Sequence, residues 1–206
     1  MRKKFIVSFE GIDGCGKTTQ AKIFYEHIMK QGMDAVFLNE PGGTAVGERI
    51  RALLLDREEK PCIWSELFLY LASRAQLLSE VLLQEAEKGS IIILDRYIDS
   101  TTAYQGYGRG LPVDLICRIH KSFLGGMFPD LTFLIDAPAE VLIPVLEGKE
   151  KDRIEGESVE FQRKVREGYL EISRKEKGRF AVIERESIEK TSAAILNTWE
   201  AFVNGY

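Results

Sequence analysis

The feature that most constrains the fold of this chain is a glycine-rich segment near the N-terminus, Gly11-Ile12-Asp13-Gly14-Cys15-Gly16-Lys17-Thr18. It follows a short apolar run at residues 5–9 and precedes a stretch of helical periodicity that begins near residue 17. The spacing G-x-x-x-x-G-K-[ST] is typical of a loop whose backbone N–H groups surround an anion at the start of a helix. It therefore predicts a phosphate-binding loop. The predicted nucleotide-binding residues are Gly11, Ile12, Asp13, Gly14, Cys15, Gly16, Lys17, Thr18 and Thr19.

The rest of the chain alternates apolar, strand-like runs with longer helical stretches. The apolar runs lie at residues 5–9, 35–38, 90–94, 131–135 and 180–183, and the helical stretches at 17–31, 45–56, 63–88, 112–124, 138–147, 158–176 and 188–203. Unbroken apolar runs suit strands that are buried on both faces, as in a parallel sheet covered by helices. We therefore predict a P-loop NTPase-type, three-layer α/β/α fold with a five-stranded, mostly parallel sheet, in a single domain over residues 1–206.

A charged segment interrupts this pattern between two helical stretches. Residues 147–157 are nearly all charged or glycine. Such a run is either a solvated turn or a lid that brings positive side chains over a phosphate, and we include it in the predicted fold as a helical lid. Pro144 lies in the preceding helical stretch, where we expect it to end or kink the helix near residue 143.

Composition excludes several classes of protein. The formal net charge is −4, whereas proteins that bind bulk nucleic acid or anionic membranes are usually basic. The three cysteines are widely separated and suit a reducing compartment rather than a disulfide framework. No apolar run approaches the ~18 residues of a membrane span, and the N-terminal apolar run is too short for a signal peptide. We expect a cytoplasmic protein without nucleic-acid or membrane partners.

A second polar segment follows the third apolar run. Asp95 and Arg96 come directly after it, at the carboxyl end of a predicted strand, where open α/β sheets bind ligands. Asp95 and the Thr18 hydroxyl can hold Mg²⁺, Lys17 can reach the terminal phosphates of a nucleotide, and Arg96 offers a planar fork to another phosphate. A structural Asp–Arg ion pair is the alternative. The polar side chains that follow favour a site for a base and sugar; they are Ser100, Thr101, Tyr104 and Gln105.

The phosphate loop alone does not define the reaction, because switches, motors and kinases all contain one. An Asn-Lys-x-Asp stretch is absent from the sequence, which disfavours a guanine-specific switch. The acidic single domain disfavours a motor that works on nucleic acid. A nucleotide-binding regulatory protein, in which residues 95–105 contact a partner protein, remains an alternative.

Three segments of the chain resemble the thymidylate kinase family. They are FEGIDGCGKTTQ at residues 9–20, EPGGT at residues 40–44 and DRYIDSTTAYQG at residues 95–106, and DRIE at residues 152–155 is similar to the family's lid. The resemblance implies an α/β kinase that transfers the γ-phosphoryl group of ATP to dTMP with Mg²⁺, usually as a homodimer. A kinase for another nucleoside monophosphate or for a deoxynucleoside is the alternative.

The resemblance also implies roles for single residues. Asp13 would face the acceptor or the metal, and Arg96 would clamp the dTMP phosphate. Arg74 would hydrogen-bond the thymine ring. Tyr70, four residues earlier on the same helix face, would stack on that ring. The structural alternatives are a core aromatic for Tyr70 and a surface salt bridge with a neighbouring glutamate for Arg74.

Other positions complete the implied acceptor pocket. Thr101 and Gln105 would help to read the base edge, and Tyr104 would crowd the sugar 2′ position and favour deoxyribose. The EPGGT segment would either belong to the site or form a turn with a helix cap at Thr44.

The chain departs from the family in its positive charges. Asn39 stands where bacterial relatives often have arginine, and the phosphate loop contains no arginine. The lid must then supply the charge, and it contains Lys149, Lys151 and Arg153. We therefore predict that Arg153 is the lid arginine of catalysis. The predicted catalytic residues are Lys17, Arg153, Arg96 and Asp13.

Overall fold

A five-stranded sheet forms the middle layer of the computed structural model, which describes residues 5–146 and 152–205. The strands lie in the order β2-β3-β1-β4-β5, and every neighbouring pair is parallel. This confirms the predicted three-layer α/β/α fold. The strands are β1 (Ile6–Glu10), β2 (Ala35–Asn39), β3 (Ile91–Asp95), β4 (Leu131–Asp136) and β5 (Phe180–Glu184).

Helices cover both faces of the sheet. They are α1 (Lys17–Lys30), α2 (Ala45–Leu55), α3 (Ile63–Leu77), α4 (Leu83–Lys88), α5 (Ile98–Thr101), α6 (Val113–Phe123), α7 (Ala139–Leu146), α8 (Val159–Lys175) and α9 (Ile188–Asn204). A π-helical turn at Leu78–Leu82 joins α3 to α4, and a second at Thr102–Gly108 continues α5. Within the described ranges, none of these helices combines the length and apolar character that crossing a bilayer needs.

Packing on both faces explains why the strands read as unbroken apolar runs. In β1, Phe9 packs on one face against Phe24 of α1, with ring centroids 5.5 Å apart. Ile6 belongs to the cluster on the opposite face, together with Leu77 at the end of α3. Val7 and Phe9 thus enter one apolar layer and Ile6 enters the other. Ser8 and Glu10, which follow on the Ile6 side, are buried with hydrogen-bond partners inside the protein.

The ends of two helices differ in how well the sequence predicts them. Thr44 caps α2 by accepting a hydrogen bond from the Gly47 N–H at 2.9 Å, which confirms the predicted cap. Of the two expected effects of Pro144, an end of the helix near residue 143 is not found, because α7 continues through Pro144 to Leu146. The kink stays a prediction. The fixed φ of proline is helical, and its missing N–H removes one hydrogen bond close to the end of the helix.

The predicted lid lies between α7 and α8. Residues 147–151, with Lys149 and Lys151, fall outside the described residues. Residues 153–156 form a turn, so the prediction of a helical lid is wrong for the described part of this segment. Ser158 then starts α8 by accepting a hydrogen bond from the Phe161 N–H at 3.1 Å.

Strand register brings the two polar segments of the sequence together. Phe9 of β1 and Asn39 of β2 both pair in register with Asp95 of β3. The loops that leave these strands therefore start side by side at one edge of the sheet. This edge is the crevice in which open α/β sheets bind ligands.

Candidate active site

The glycine-rich loop connects β1 to α1 and has the conformation that its glycines permit. Gly11 has a φ of 142°, and a Cβ atom there would lie 2.6 Å from the Ile135 carbonyl oxygen. Gly16, with a φ of 94°, is the N-cap of α1, which begins at Lys17. These positive φ values and the close backbone contact explain why the turn needs glycine.

A cavity of about 170 Å³ opens at the carboxyl ends of β1, β2 and β3. It contains most of the predicted site residues: Asp13, Lys17, Thr18, Tyr70, Arg74, Asp95, Arg96, Ser100, Thr101, Tyr104 and Gln105. The remaining loop residues do not line it, and Ile12 and Cys15 are buried in the core. Arg51 and Leu55 of α2, which the sequence analysis did not select, also line the cavity.

Asp13 connects the two predicted phosphate sites. Its Oδ1 atom accepts a hydrogen bond from Arg96 Nη2 and lies 3.4 Å from Lys17 Nζ. Its Oδ2 atom accepts a hydrogen bond from Tyr104 Oη at 2.9 Å. Burial alone would raise the pKa of Asp13, but the charges of Arg96 and Lys17 outweigh it and hold the pKa at about 2. The ionised carboxylate therefore keeps both cations in one cavity.

Arg96 is held from several directions. Its Nη1 atom donates to the Gly11 carbonyl oxygen at 3.1 Å, and the guanidinium lies 4.9 Å from the centroid of the Tyr104 ring. Nη1 also lies within hydrogen-bond distance of Ser100 Oγ, at 3.1 Å, and of Tyr169 Oη, at 3.3 Å. Its backbone φ is 70°, the only positive value among the non-glycine residues that the structure describes.

Thr18 and Asp95 form a possible cation site. Thr18 Oγ1 donates to Asp95 Oδ2 at 2.5 Å, whereas Asp95 Oδ1 is buried and has no hydrogen-bond partner in the described part of the chain. A hydroxyl and a carboxylate with a free oxygen are ligands that Mg²⁺ prefers. The residues present therefore fit a divalent cation.

Arg74 lies on the floor of the cavity and uses all of its donors within the protein. Nε and Nη2 donate to Glu40, and Nη2 also donates to the Tyr97 carbonyl oxygen at 3.1 Å. Nη1 contacts Thr101 Oγ1 and His120 Nε2, each at 2.8 Å. A surface salt bridge is thus the wrong alternative, because both partners of the Arg74–Glu40 pair are buried.

His120 must be neutral to occupy this position. Because a guanidinium is only a donor, His120 Nε2 accepts the bond from Arg74. Burial and the charge of Arg74 lower the pKa of His120 from 6.5 to about 2. His120 thus contributes a hydrogen-bond acceptor to the buried Arg74, and nothing in the local sequence predicts this contact.

The predicted lid arginine does not line the cavity. Arg153 Nη1 donates to Glu66 Oε2 of α3 at 2.7 Å, and Nε donates to the Leu54 carbonyl oxygen at 2.8 Å. Glu66 also accepts from Gln105 Nε2 at 2.9 Å and pairs with Arg109. Arg153 therefore binds α2 and α3, and it does not contact Lys17 or Arg96.

Two tyrosines on the acceptor side occupy different environments. Tyr70 is half-buried and lines the cavity, so its ring is available to a ligand and is not a core aromatic. Tyr104 is buried and packs against Tyr169, with ring centroids 6.3 Å apart. Burial raises the pKa of the Tyr104 hydroxyl far above its ordinary range, so this group remains a hydrogen-bond donor.

A parallel α/β/α fold, a glycine-rich loop and two cations that share one carboxylate define a P-loop nucleotide-binding protein of the phosphotransferase class. A family model described as "Thymidylate kinase" matches residues 9–195. This chain therefore belongs to the thymidylate kinase family.

Individual relatives agree with this assignment. The chain is 50% identical over 184 residues to a thymidylate kinase of Caldanaerobacter subterraneus subsp. tengcongensis, covering 89% of this chain and 88% of the relative. It is 44% identical to one of Kosmotoga olearia, covering 89% of each. The crystal structure of thymidylate kinase from Ehrlichia chaffeensis matches with a TM-score of 0.80 and 30% identity, covering 96% of this chain and 99% of that one.

Proposed function

We propose that this chain transfers the γ-phosphoryl group of ATP to dTMP, giving ADP and dTDP. The observation that carries the proposal is the bridge between the two phosphate sites, in which Asp13 contacts both Lys17 and Arg96 in one cavity. Membership of the thymidylate kinase family supports dTMP as the acceptor.

Lys17 would bind the phosphates of ATP, and Arg96 would bind the phosphate of dTMP. Phosphoryl transfer has a loose transition state, so the protein acts mainly by positioning the two nucleotides and offsetting their charge. The second pKa of a phosphate monoester is ~6, so the acceptor oxygen is largely ionised at neutral pH and needs no strong base. Asp13 would orient both cations before the nucleotides bind.

Mg²⁺ would be held by Thr18 and Asp95, where the free Asp95 Oδ1 atom is a ready ligand. Among the described residues, no group of three or more acidic, histidine or cysteine side chains is arranged to hold a metal ion, so phosphates and water would supply the other ligands. When bound, the ion would reduce the negative charge on the transferred phosphoryl group.

The base would occupy the part of the cavity near α3. Tyr70 would stack on it, and Gln105 and Thr101 would contact its edge. Each Arg74 N–H already has a protein acceptor, so a hydrogen bond from Arg74 to thymine would be shared with Thr101 or His120. Arg74 would then position Thr101 as well as contact the base.

Arg153 would reach the transferred phosphoryl group only after leaving Glu66. The buried Arg153 Nη2 atom has no partner in the described residues, so this contact leaves one donor unsatisfied. A closing lid would transfer the guanidinium to the phosphates and exclude water from them.

A coupled ADP-release assay across dTMP, dUMP, dCMP, dGMP and thymidine tests the proposal. We expect the highest kcat/KM for dTMP. A higher value for another acceptor would identify a different kinase, and ATP binding without turnover of any acceptor would indicate a regulatory nucleotide-binding protein.

We also propose a cytoplasmic homodimer. Large apolar side chains are exposed on the neighbouring helices α2 and α3, which suits a surface that a second copy covers. They are Val46, Leu53, Ile63, Trp64 and Phe68.

A further inference from the structure

We propose that Glu10, the last residue of β1, is the positioning residue that orients the Arg96 guanidinium towards the acceptor phosphate. The inference rests on the proposed function, which places a phosphate at Arg96. Glu10 is fully buried and does not line the cavity, so it acts only through other residues.

Both oxygens of Glu10 accept hydrogen bonds. Oε1 accepts from the Tyr97 backbone N–H at 2.8 Å. Oε2 accepts from Ser100 Oγ at 2.6 Å and from Tyr169 Oη at 2.9 Å. These donors come from the β3–α5 turn, from α5 and from α8, so a single side chain connects three segments around Arg96.

The two hydroxyls connect Glu10 to Arg96. Ser100 Oγ and Tyr169 Oη are also the atoms that lie 3.1 Å and 3.3 Å from Arg96 Nη1. Ser100 Oγ and Tyr169 Oη also lie 2.7 Å from each other, and each hydroxyl has a single proton. One hydroxyl therefore donates to Glu10, and the other donates either to Glu10 or to the first hydroxyl. In both arrangements the two protons are used within the Glu10 cluster, so both oxygens keep a lone pair for the Arg96 guanidinium, which can only donate.

A second connection runs through the backbone. Arg96 has a φ of 70°, a left-handed conformation that a side-chain-bearing residue adopts only when its surroundings hold it. Its own N–H donates to the Phe9 carbonyl oxygen at 3.0 Å, and the next N–H, that of Tyr97, donates to Glu10. The end of β1 therefore fixes the backbone on both sides of the Arg96 side chain.

Glu10→Gln preserves the volume of the side chain but cannot reproduce this pattern. The ionised carboxylate accepts on both sides, whereas an amide accepts on one side and donates on the other. Because burial raises the pKa of Glu10 to about 7, the comparison is made at about pH 8.5, where the carboxylate is ionised. If the amide nitrogen faces Ser100 and Tyr169, it occupies their lone pairs and turns a hydroxyl proton towards Arg96. If it faces Tyr97, two donors oppose each other.

The test compares dTMP with thymidine, which lacks the phosphate, in calorimetric binding to the full chain. We expect E10Q to raise the Kd for dTMP by roughly 10- to 100-fold, as loss of a buried charged contact does. The Kd for thymidine and the KM for ATP should stay within about twofold of wild type. Equal losses for dTMP and thymidine, or no loss for either, would overturn the inference.

Two further variants keep the test decisive. Ser8→Ala removes the buried hydroxyl of β1, whose partner is Thr132 Oγ1 at 2.9 Å. Because this pair has no contact with Arg96, the substitution should leave dTMP binding unchanged. Tyr169→Phe removes one acceptor of Arg96 and should weaken dTMP but not thymidine. If E10Q does not fold, Tyr169→Phe carries the same comparison, and unchanged dTMP binding by it overturns the inference.

Failure of the proposed function has a different signature. If wild type binds thymidine as tightly as dTMP, Arg96 holds no acceptor phosphate, whatever the variants do. If wild type prefers dTMP and E10Q keeps that preference, Arg96 keeps its role and Glu10 has none.

Discussion

At the scale of single residues, the site is organised by acceptors for its cations. Asp13 forms ion pairs with Lys17 and Arg96. Glu40 forms one with Arg74, and Glu66 forms one with Arg153. The first two carboxylates hold cations that line the cavity, whereas Glu66 holds Arg153 outside it. The roles of the cations can therefore be separated by substitution.

Arg96→Ala should act on the acceptor side. Removing a partly buried guanidinium that would bind the acceptor phosphate should raise the KM for dTMP by about 10²-fold. The KM for ATP should change little, because Lys17 remains. Steady-state kinetics with each nucleotide varied in turn measure both constants.

The matched control for Arg96→Ala is Arg163→Ala. Arg163 is an exposed arginine of α8 that pairs with Glu140, and it should retain wild-type kinetics. Unchanged KM and kcat for dTMP in Arg96→Ala would remove Arg96 from the acceptor site.

Arg153→Ala should act on turnover. If the lid carries this guanidinium to the transferred phosphoryl group, kcat should fall by about 10³-fold, as for other arginines that stabilise this transition state. Binding of dTMP should weaken far less. Pre-steady-state quench-flow measures the chemical step directly, and near-normal turnover would contradict the role.

His120→Asn should change how stability depends on pH. The unfolded chain takes up a proton on His120 below about pH 6.5, whereas burial beside Arg74 keeps the folded pKa at about 2. The free energy of unfolding of wild type should therefore lose up to ~1.4 kcal/mol per pH unit from this group as pH falls below 6.5. The asparagine variant should lack this contribution.

Urea unfolding of wild type and of His120→Asn in buffers at about pH 7, 6 and 5 measures how the free energy of unfolding of each protein changes with pH. Only the difference between the two slopes is diagnostic, because other groups titrate as well. Glu10 is one of them, because burial and the charge of Asp99 raise its pKa from 4.5 to about 7. The folded state binds this proton more readily than the unfolded chain, so the contribution of Glu10 to the free energy of unfolding increases as pH falls from 7 to 4.5. Parallel slopes for the two proteins would contradict the buried neutral histidine.

Sequence predicts the residues that line the cavity better than the residues that hold them in position. Lys17, Thr18 and Arg96 belong to short motifs with a definite chemistry, and the structure brings them together. Tyr169 and Glu66 come from elements distant along the chain, and they read as ordinary helix residues. The position of Arg153 was not predictable either, because it depends on a tertiary contact with α3.

At the scale of elements, the contact between α8 and the π-turn at Thr102–Gly108 is a sensitive point. A Cβ atom on Gly168 would lie 2.7 Å from Tyr107 Cβ, so Gly168→Ala should push the two segments apart. We expect a loss of roughly 1–3 kcal/mol of unfolding free energy and weaker dTMP binding, because Tyr104 and Tyr169 would shift.

Gly178→Ala is the control for this element. A Cβ atom there meets nothing within 4 Å, so the melting temperature should stay close to that of wild type. Scanning calorimetry compares the two variants. Equal melting temperatures for Gly168→Ala and Gly178→Ala would show that the close approach does not matter.

The predicted elements succeed where apolar periodicity is strong. All five strands were found, since each is a dense apolar run. The helical turns at 98–108 were missed, because this segment is rich in polar side chains, several of which line the site, and it has no apolar stripe. The π-turn within residues 63–88 was also missed, because an inserted turn does not interrupt a leucine-rich pattern.

At the scale of the whole molecule, the exposed apolar face of α2 and α3 should control assembly. Phe68 is 55% exposed and lies next to Trp64, with ring centroids 6.0 Å apart. Phe68→Glu should place a charge in the proposed interface and give a monomer. Light scattering after size-exclusion chromatography measures the mass.

Val182→Glu provides the control for assembly. Val182 is an exposed apolar residue of β5, away from α2 and α3, and its substitution should leave the mass unchanged. Equal masses for wild type and Phe68→Glu would contradict this interface.

Strand order, like assembly, was not predictable from local patterns, because it depends on which crossovers pack best.

The Asp13 carboxylate has a consequence for the free protein. Its negative charge lies between Lys17 and Arg96 and offsets the repulsion between these two cations. If phosphates bind at these cations as proposed, they take over this role from the carboxylate. An anionic ligand would therefore compete with the Asp13 carboxylate for Lys17 and Arg96, rather than bind two cations that have no counter-ion. Other small anions would meet the same competition, which favours ligands that contact Lys17 and Arg96 at the same time.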